Sequence, residues 1–123
     1  MCQLSEITVN SGRKCRVAEI KKDYIINIIN KAWSCPLIDK IVLFGSAIEE
    51  RCTMQSDIDI AVFGNKTMYK ALRSKEYRTF TSQIYNFGSF QDYDILYFQS
   101  NRAHNDGIMK DIQRGAVIFQ REG

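Results

Sequence analysis

The chain has 123 residues, of which 45% are apolar and 25% charged, the balance of an ordinary soluble globular protein. That length suits one domain with a single hydrophobic core and leaves no room for a separate lid. No apolar run approaches a membrane span, Met1 to Glu6 lack the basic then apolar layout of a secretory signal, and a net charge of +3 scattered along the chain indicates no nucleic-acid footprint. A cytoplasmic location is therefore expected, with a modest cationic excess that would suit a polyphosphate.

Residues 1–14 hold a short β-like piece, Ile7-Thr8-Val9, followed by the turn residues Asn10-Ser11-Gly12, and are read as a loosely attached arm. The domain proper is placed at 15–123. From Cys15 to Trp33 the apolar residues Val17, Ile20, Tyr24, Ile28 and Ile25, Ile29, Trp33 form neighbouring helical stripes, with Lys21, Lys22, Asn27 and Lys31 opposite. This is an amphipathic helix ended by Pro36.

Lys40 to Phe44 reads as a strand buried on both faces, broken by Gly45-Ser46, with one or two helical turns over Ala47 to Arg51. A second strand runs from Asp57 to Phe63 and closes at Gly64-Asn65. Thr67 to Asn86 has helical spacing with a basic outer face of Arg73, Lys75 and Arg78, most simply a solvated surface. Tyr93 to Phe98 is a third strand, Asn105 to Arg114 a short helix capped by Asn105 or Asp106, and Ala116 to Phe119 an edge strand. The alternation defines an α+β layer, a small sheet covered by helices.

The four cysteines, Cys2, Cys15, Cys35 and Cys52, contain no Cys-x-x-Cys pair, and His104 is the single histidine. Structural zinc and a disulfide scaffold are therefore not indicated, and His104 reads as a loop residue.

Chemistry concentrates between Ile41 and Val62. Aspartate is disfavoured in strands and almost never fully buried unless paired, yet Asp57 and Asp59 occupy one apolar strand. Residues i and i+2 of a strand share a face, so the two carboxylates project together while Ile58, Ile60 and Val62 enter the core. A divalent cation removes their repulsion, and oxygen ligands of this kind favour Mg²⁺. Asp94, on the third strand, would complete a three-carboxylate cluster if the strands are adjacent. Such a cluster can hold two metals about 3.5–4 Å apart for phosphoryl or nucleotidyl transfer. Asp92 is its neighbour, exchanged with it by a small register error. Gly45 and Ser46, at a strand end opening a helix, offer N–H groups and a hydroxyl to phosphate oxygens.

The run Leu43-Phe44-Gly45-Ser46, ten residues, then Asp57-Ile58-Asp59 resembles the signature of the DNA polymerase beta-like nucleotidyltransferase superfamily, specifically its minimal nucleotidyltransferase branch. Tyr93-Asp94-Ile95-Leu96-Tyr97 looks like the third-carboxylate strand, and Ile108 to Phe119 like the closing helix and tail. The resemblance implies about three mixed strands flanked by about four helices. It also implies that Asp57 and Asp59 bind two Mg²⁺ ions, that Asp94 binds one and helps deprotonate the acceptor, and that Gly45 and Ser46 hold the terminal phosphates of the nucleotide, ATP. Arg51, as a substitute for the basic residue the family carries after Gly-Ser, and Ser56 are further candidates for nucleotide binding.

Members of that branch are often encoded beside a helical HEPN-type toxin, and some transfer AMP to a tyrosine of it as antitoxins. The expected function is therefore AMP transfer to such a partner, with homo- or hetero-oligomers compatible with it. The residues after Gly-Ser depart from the family pattern of small and basic types, being Ala47-Ile48-Glu49-Glu50-Arg51. Acids beside a triphosphate motivate the alternative, a weak or inactive protein of the same fold that binds and inhibits or scaffolds its partner without turnover. Transfer to a small alcohol is a third option, for which no dedicated pocket residues are visible.

Overall fold

The computed structural model describes residues 1–121. Strands β1 (Leu4–Thr8) and β2 (Lys14–Ala18) pair antiparallel, with Ser5 opposite Val17. They are joined by a turn in which the Gly12 N–H donates to the Val9 carbonyl, 2.9 Å. The first fourteen residues are therefore a built part of the molecule rather than a loose arm: Ile7, Val9 and Val17 are buried in the main core. The hairpin turn also reaches the C-terminal strand. Asn10 donates from Nδ2 to the Gln120 carbonyl, 2.6 Å, and accepts at Oδ1 from the Gln120 N–H, 2.9 Å.

The helix expected from Cys15 begins only at Lys22, because Lys14 and Arg16 face solvent while Cys15 and Val17 turn inward, the alternation of a strand. A 3-10 turn, Glu19–Lys21, leads into α1 (Lys22–Ala32), which buries Ile25, Ile28, Ile29 and Ala32. Two residues assigned to its solvated face are inside: Lys21 is 1% exposed and Asn27 is 6% exposed.

The central sheet contains β3 (Ile38–Phe44), β4 (Ile58–Gly64), β5 (Tyr93–Gln99) and β6 (Ala116–Gln120) in the spatial order β5-β4-β3-β6. The pairs β3·β4 and β3·β6 are antiparallel, and β4·β5 is parallel. The sheet thus has the three expected strands plus β6 as a fourth, at the edge. Parallel neighbours need a crossover between them, and the segment from 65 to 92 supplies it.

That crossover is two helices rather than the single one expected, α2 (Met68–Arg73) and α3 (Lys75–Tyr85). Ser74 makes the break. Its hydroxyl donates to the Ala71 carbonyl at 2.8 Å and accepts from the Tyr77 N–H at 3.1 Å, finishing one helix and capping the next. A serine competes for backbone groups in this way because its side chain is short and polar.

Ile58, Ile60 and Val62 are fully buried on one sheet face, against α1 and α3, with Phe80 and Ile84 among their neighbours in the core. Val42, Phe44, Ala61 and Phe98 form a smaller cluster with Ile112 of α4 (Met109–Gln113) on the other face. The final helix is thus shorter than expected and has no side-chain cap from Asn105 or Asp106. Residues 122–123 of the domain expected at 15–123 lie outside the described residues.

Ser74→Ala should lower unfolding free energy by about 1 kcal/mol, the usual loss for a serine cap. Urea unfolding of the variant checks this, and an unchanged midpoint would contradict the cap.

Candidate active site

The alternation of β4 sends Asp59 to the sheet face opposite the main core, the face that carries Ala61. In the parallel register Asp59 lies directly opposite Asp94 of β5, and in the antiparallel register opposite Phe44 of β3. The sheet therefore aligns the end of β3 and the starts of β4 and β5 along one rung. Immediately after Phe44 the chain turns at Gly45, φ +75°, into a 3-10 turn, Gly45–Ile48. A Cβ at Gly45 would overlap the Asp59 carboxylate. Glycine is required here twice over, by its left-handed backbone and by the acid it must clear.

These residues border a cleft of about 460 Å³ lined by Phe44, Gly45, Glu49, Arg51, Asp59 and Asp94, together with Ile108, Asp111 and Arg114 from the α4 region. Arg114 and Asp111 were not foreseen as site residues. The signal was available: 108, 111 and 114 are three apart, one side of a helix. Gly115 lets this segment approach, since a Cβ there would sit 2.5 Å from the Leu43 carbonyl oxygen.

The other expected residues are distributed around this centre. Asp57 is exposed just before β4 and does not line the cleft, although its charge acts on Asp59. Ser46 is half-buried in the 3-10 turn, where its carbonyl accepts from the Glu49 N–H at 2.9 Å. The Ser56 hydroxyl accepts from the Thr53 N–H at 3.0 Å and lies 3.2 Å from the Thr53 hydroxyl, a local turn rather than a cleft wall. Asp92 stands one rung off the sheet, its carbonyl accepting from the Ile58 N–H at 3.1 Å. Asp94, not Asp92, is the acid beside Asp59 in the ladder.

Arg51 lines the cleft but is engaged. Its Nε and Nη2 both lie 2.8 Å from Glu49 Oε1. Glu50 is exposed and does not line the cleft, while its carbonyl accepts from the Cys2 N–H at 2.8 Å.

Four carboxylates and two guanidinium groups line the cleft, leaving it anionic. Among the described residues, no group of three or more potential ligands is already gathered tightly enough to hold a metal by itself. The donor set instead fits a cation held by one or two carboxylates and completed by substrate oxygens, the usual manner of Mg²⁺. Burial, then the charges of Asp94 and Asp57, push Asp59 above the ordinary carboxylate range, and Arg51 pulls it partly back. A bound cation would relieve that repulsion.

Paired acids on adjacent strands, beside a glycine turn at an open cleft, define a site suited to metal-assisted transfer of phosphorus groups. The family described as "Polymerase beta, Nucleotidyltransferase" matches residues 24–123, and the chain belongs to that family. Its domains act generally with a nucleotide and divalent metal ions. A solved structure from Sulfolobus solfataricus, described as a candidate nucleotidyltransferase, is similar at 18% identity and a TM-score of 0.44, covering 84% of this chain and 79% of that one. No curated protein matches. No helix among the described residues is long and apolar enough to cross a membrane.

Gly45→Ala should cost about 1–2 kcal/mol through its left-handed backbone alone, and more through displacement of Asp59. Thermal unfolding reads the loss, and a wild-type midpoint would contradict the close approach. Asp59→Asn should have the opposite effect on the metal-free protein. With the folded pKa raised, ionised Asp59 disfavours the fold; this cost is absent below the unfolded pKa of about 4, grows as pH rises, and is complete above the folded value. The variant is therefore expected to exceed wild type in stability at neutral pH and to match it at about pH 3, as urea unfolding at both pH values would report.

Proposed function

We propose that this chain transfers AMP from ATP, with Mg²⁺, to a hydroxyl of a partner protein, a tyrosine of a HEPN-type toxin, and so acts as its antitoxin. The observation that carries the transfer chemistry is the pairing of Asp59 with Asp94 beside the Gly45 turn. A protein acceptor is supported by the borders of the cleft. There Asp94 is exposed and Asp59 half-buried, so a side chain presented by another molecule can reach the acids.

Asp59 and Asp94 would hold the ions, with Asp57 alongside. When bound, Mg²⁺ supplies charge stabilisation at the transferring phosphate. Arg114 has no ion pair among the described residues and faces the cleft, where it can hold phosphate oxygens. Asp94 is exposed and takes the proton of the acceptor hydroxyl. The hydroxyl oxygen forms a bond to the α-phosphorus, the bond from that phosphorus to the bridging oxygen breaks, and pyrophosphate departs with its electron pair.

Incubation with ATP labelled at the α-phosphate, Mg²⁺ and a HEPN-type partner tests this. Label should appear on the partner with wild type and be lost with Asp59→Ala. Transfer that survives the Asp59→Ala, Asp94→Ala double variant would sink the proposal.

The Glu49–Arg51 ion pair favours a second function, inhibition or scaffolding of the partner by contact without turnover, because it occupies one of the two cations facing the cleft. Such an exposed pair is itself worth little, about 0–1 kcal/mol. Glu49→Gln should therefore tighten ATP binding by up to about fivefold, the equivalent of about 1 kcal/mol. Calorimetry with Mg²⁺ and ATP separates the two functions: no heat from either wild type or the variant points to contact alone.

A further inference from the structure

Burying an ammonium group costs several kcal/mol unless it is well partnered, and an apolar residue of similar volume often serves the core as well or better. Lys21 is nonetheless sealed inside, 1% exposed, where the 3-10 turn enters α1. Its Nζ donates to the Met54 carbonyl at 3.1 Å and to Gln91 Oε1 at 2.6 Å. Met54 belongs to the loop that feeds β4, and Gln91 to the loop that feeds β5.

Gln91 extends the bridge. Its Nε2 donates to the Asp92 carbonyl at 2.7 Å and to the Ser56 carbonyl at 3.1 Å. The Asp92 carbonyl in turn accepts from the Ile58 N–H, the first residue of β4. One buried cation and one amide therefore tie the approaches to both acid-bearing strands. A second contact from the same segment supports the β5 loop, since the Tyr24 hydroxyl donates to the Ser89 carbonyl at 3.3 Å.

Strand periodicity gives this tie its importance. A one-residue slip of β5 against β4 would bring Tyr93 or Ile95 opposite Asp59 and turn Asp94 to the other face. We propose that Lys21, acting through Gln91, is a positioning residue that fixes the relative register of β4 and β5 and thereby holds Asp94 beside Asp59. This role rests on the proposed use of those acids as the metal-binding pair.

The test uses the full chain with Lys21→Met, which keeps the apolar stem, and Gln91→Ala, which leaves the lysine in place. Two quantities are read: amide hydrogen exchange at Ile58, and the Mn²⁺ concentration that half-saturates the protein. Both variants should speed exchange at Ile58 and weaken Mn²⁺ binding by about 10- to 100-fold, the usual effect of losing a group that orients metal ligands. The double variant should be no worse than the weaker single one, because both changes break the same bridge.

A purely structural lysine would lower the melting temperature without moving Mn²⁺ affinity in the folded protein. Wild-type exchange and wild-type Mn²⁺ affinity in Gln91→Ala overturn the inference, and that variant decides the matter if Lys21→Met does not fold. Wild-type protein that takes up no Mn²⁺ either alone or with ATP present overturns the proposed function itself. Wild type that binds Mn²⁺, with both variants equal to it, overturns only the role of Lys21.

Discussion

The molecule depends on the parallel pairing of β4 with β5. Antiparallel neighbours can be joined by a few residues, whereas this pair has to be brought together across the whole α2–α3 crossover. The cost is long-range loop closure, offset by Ile58, Ile60 and Val62 entering the main core against α3. What the crossover gains is placement. Two acids 35 positions apart in sequence, Asp59 and Asp94, become direct neighbours on the thinly covered face of the sheet.

That placement opposes stability. Like charges are set side by side with only Arg51 acting against them at Asp59, and the same arginine is bonded to Glu49. The scaffold tolerates this because the repulsion lies at one end of a sheet whose opposite face is densely packed. Proteins commonly carry such local cost where function needs it. The two glycines that bring backbone close to the site, Gly45 and Gly115, show the same economy: each keeps clear the space that a side chain would fill.

The sequence made β4 and the facing of Asp59 readable because a two-residue period in Ile58-Asp59-Ile60 admits only one facing pattern, whereas Asp57, expected beside Asp59, falls before the strand and outside the cleft. Asp94 followed from the same pattern once the strands were taken as adjacent. Other features were not readable, for definable reasons. Val17 alternates with Cys15 as in a strand yet also stands at helical spacing from Ile20 and Tyr24, so β2 was hidden within an apparent helix. The break at Ser74 depends on a hydroxyl making two bonds at once, which periodicity does not register. Lys21 sits at a solvent position by spacing, and only the arrival of Met54 and Gln91 from distant segments makes its burial tenable. The phosphate side was least legible, since Ser56 bonds within its own turn and Arg114 comes from a helix far along the chain.

The reciprocal amide bond between Asn10 and Gln120 has a consequence for assembly. Both backbone groups of Gln120 are occupied by a side chain that imitates the donor and acceptor of a strand residue. The rung at that end of β6 is thus closed to an incoming segment, which protects this border from the templated edge pairing to which open strands are prone. The N-terminal hairpin functions there as a terminating cap on the sheet, and at the opposite border the end carbonyls of β5 are likewise engaged by side chains, Tyr93 by the Tyr85 hydroxyl and Gln99 by the His104 ring.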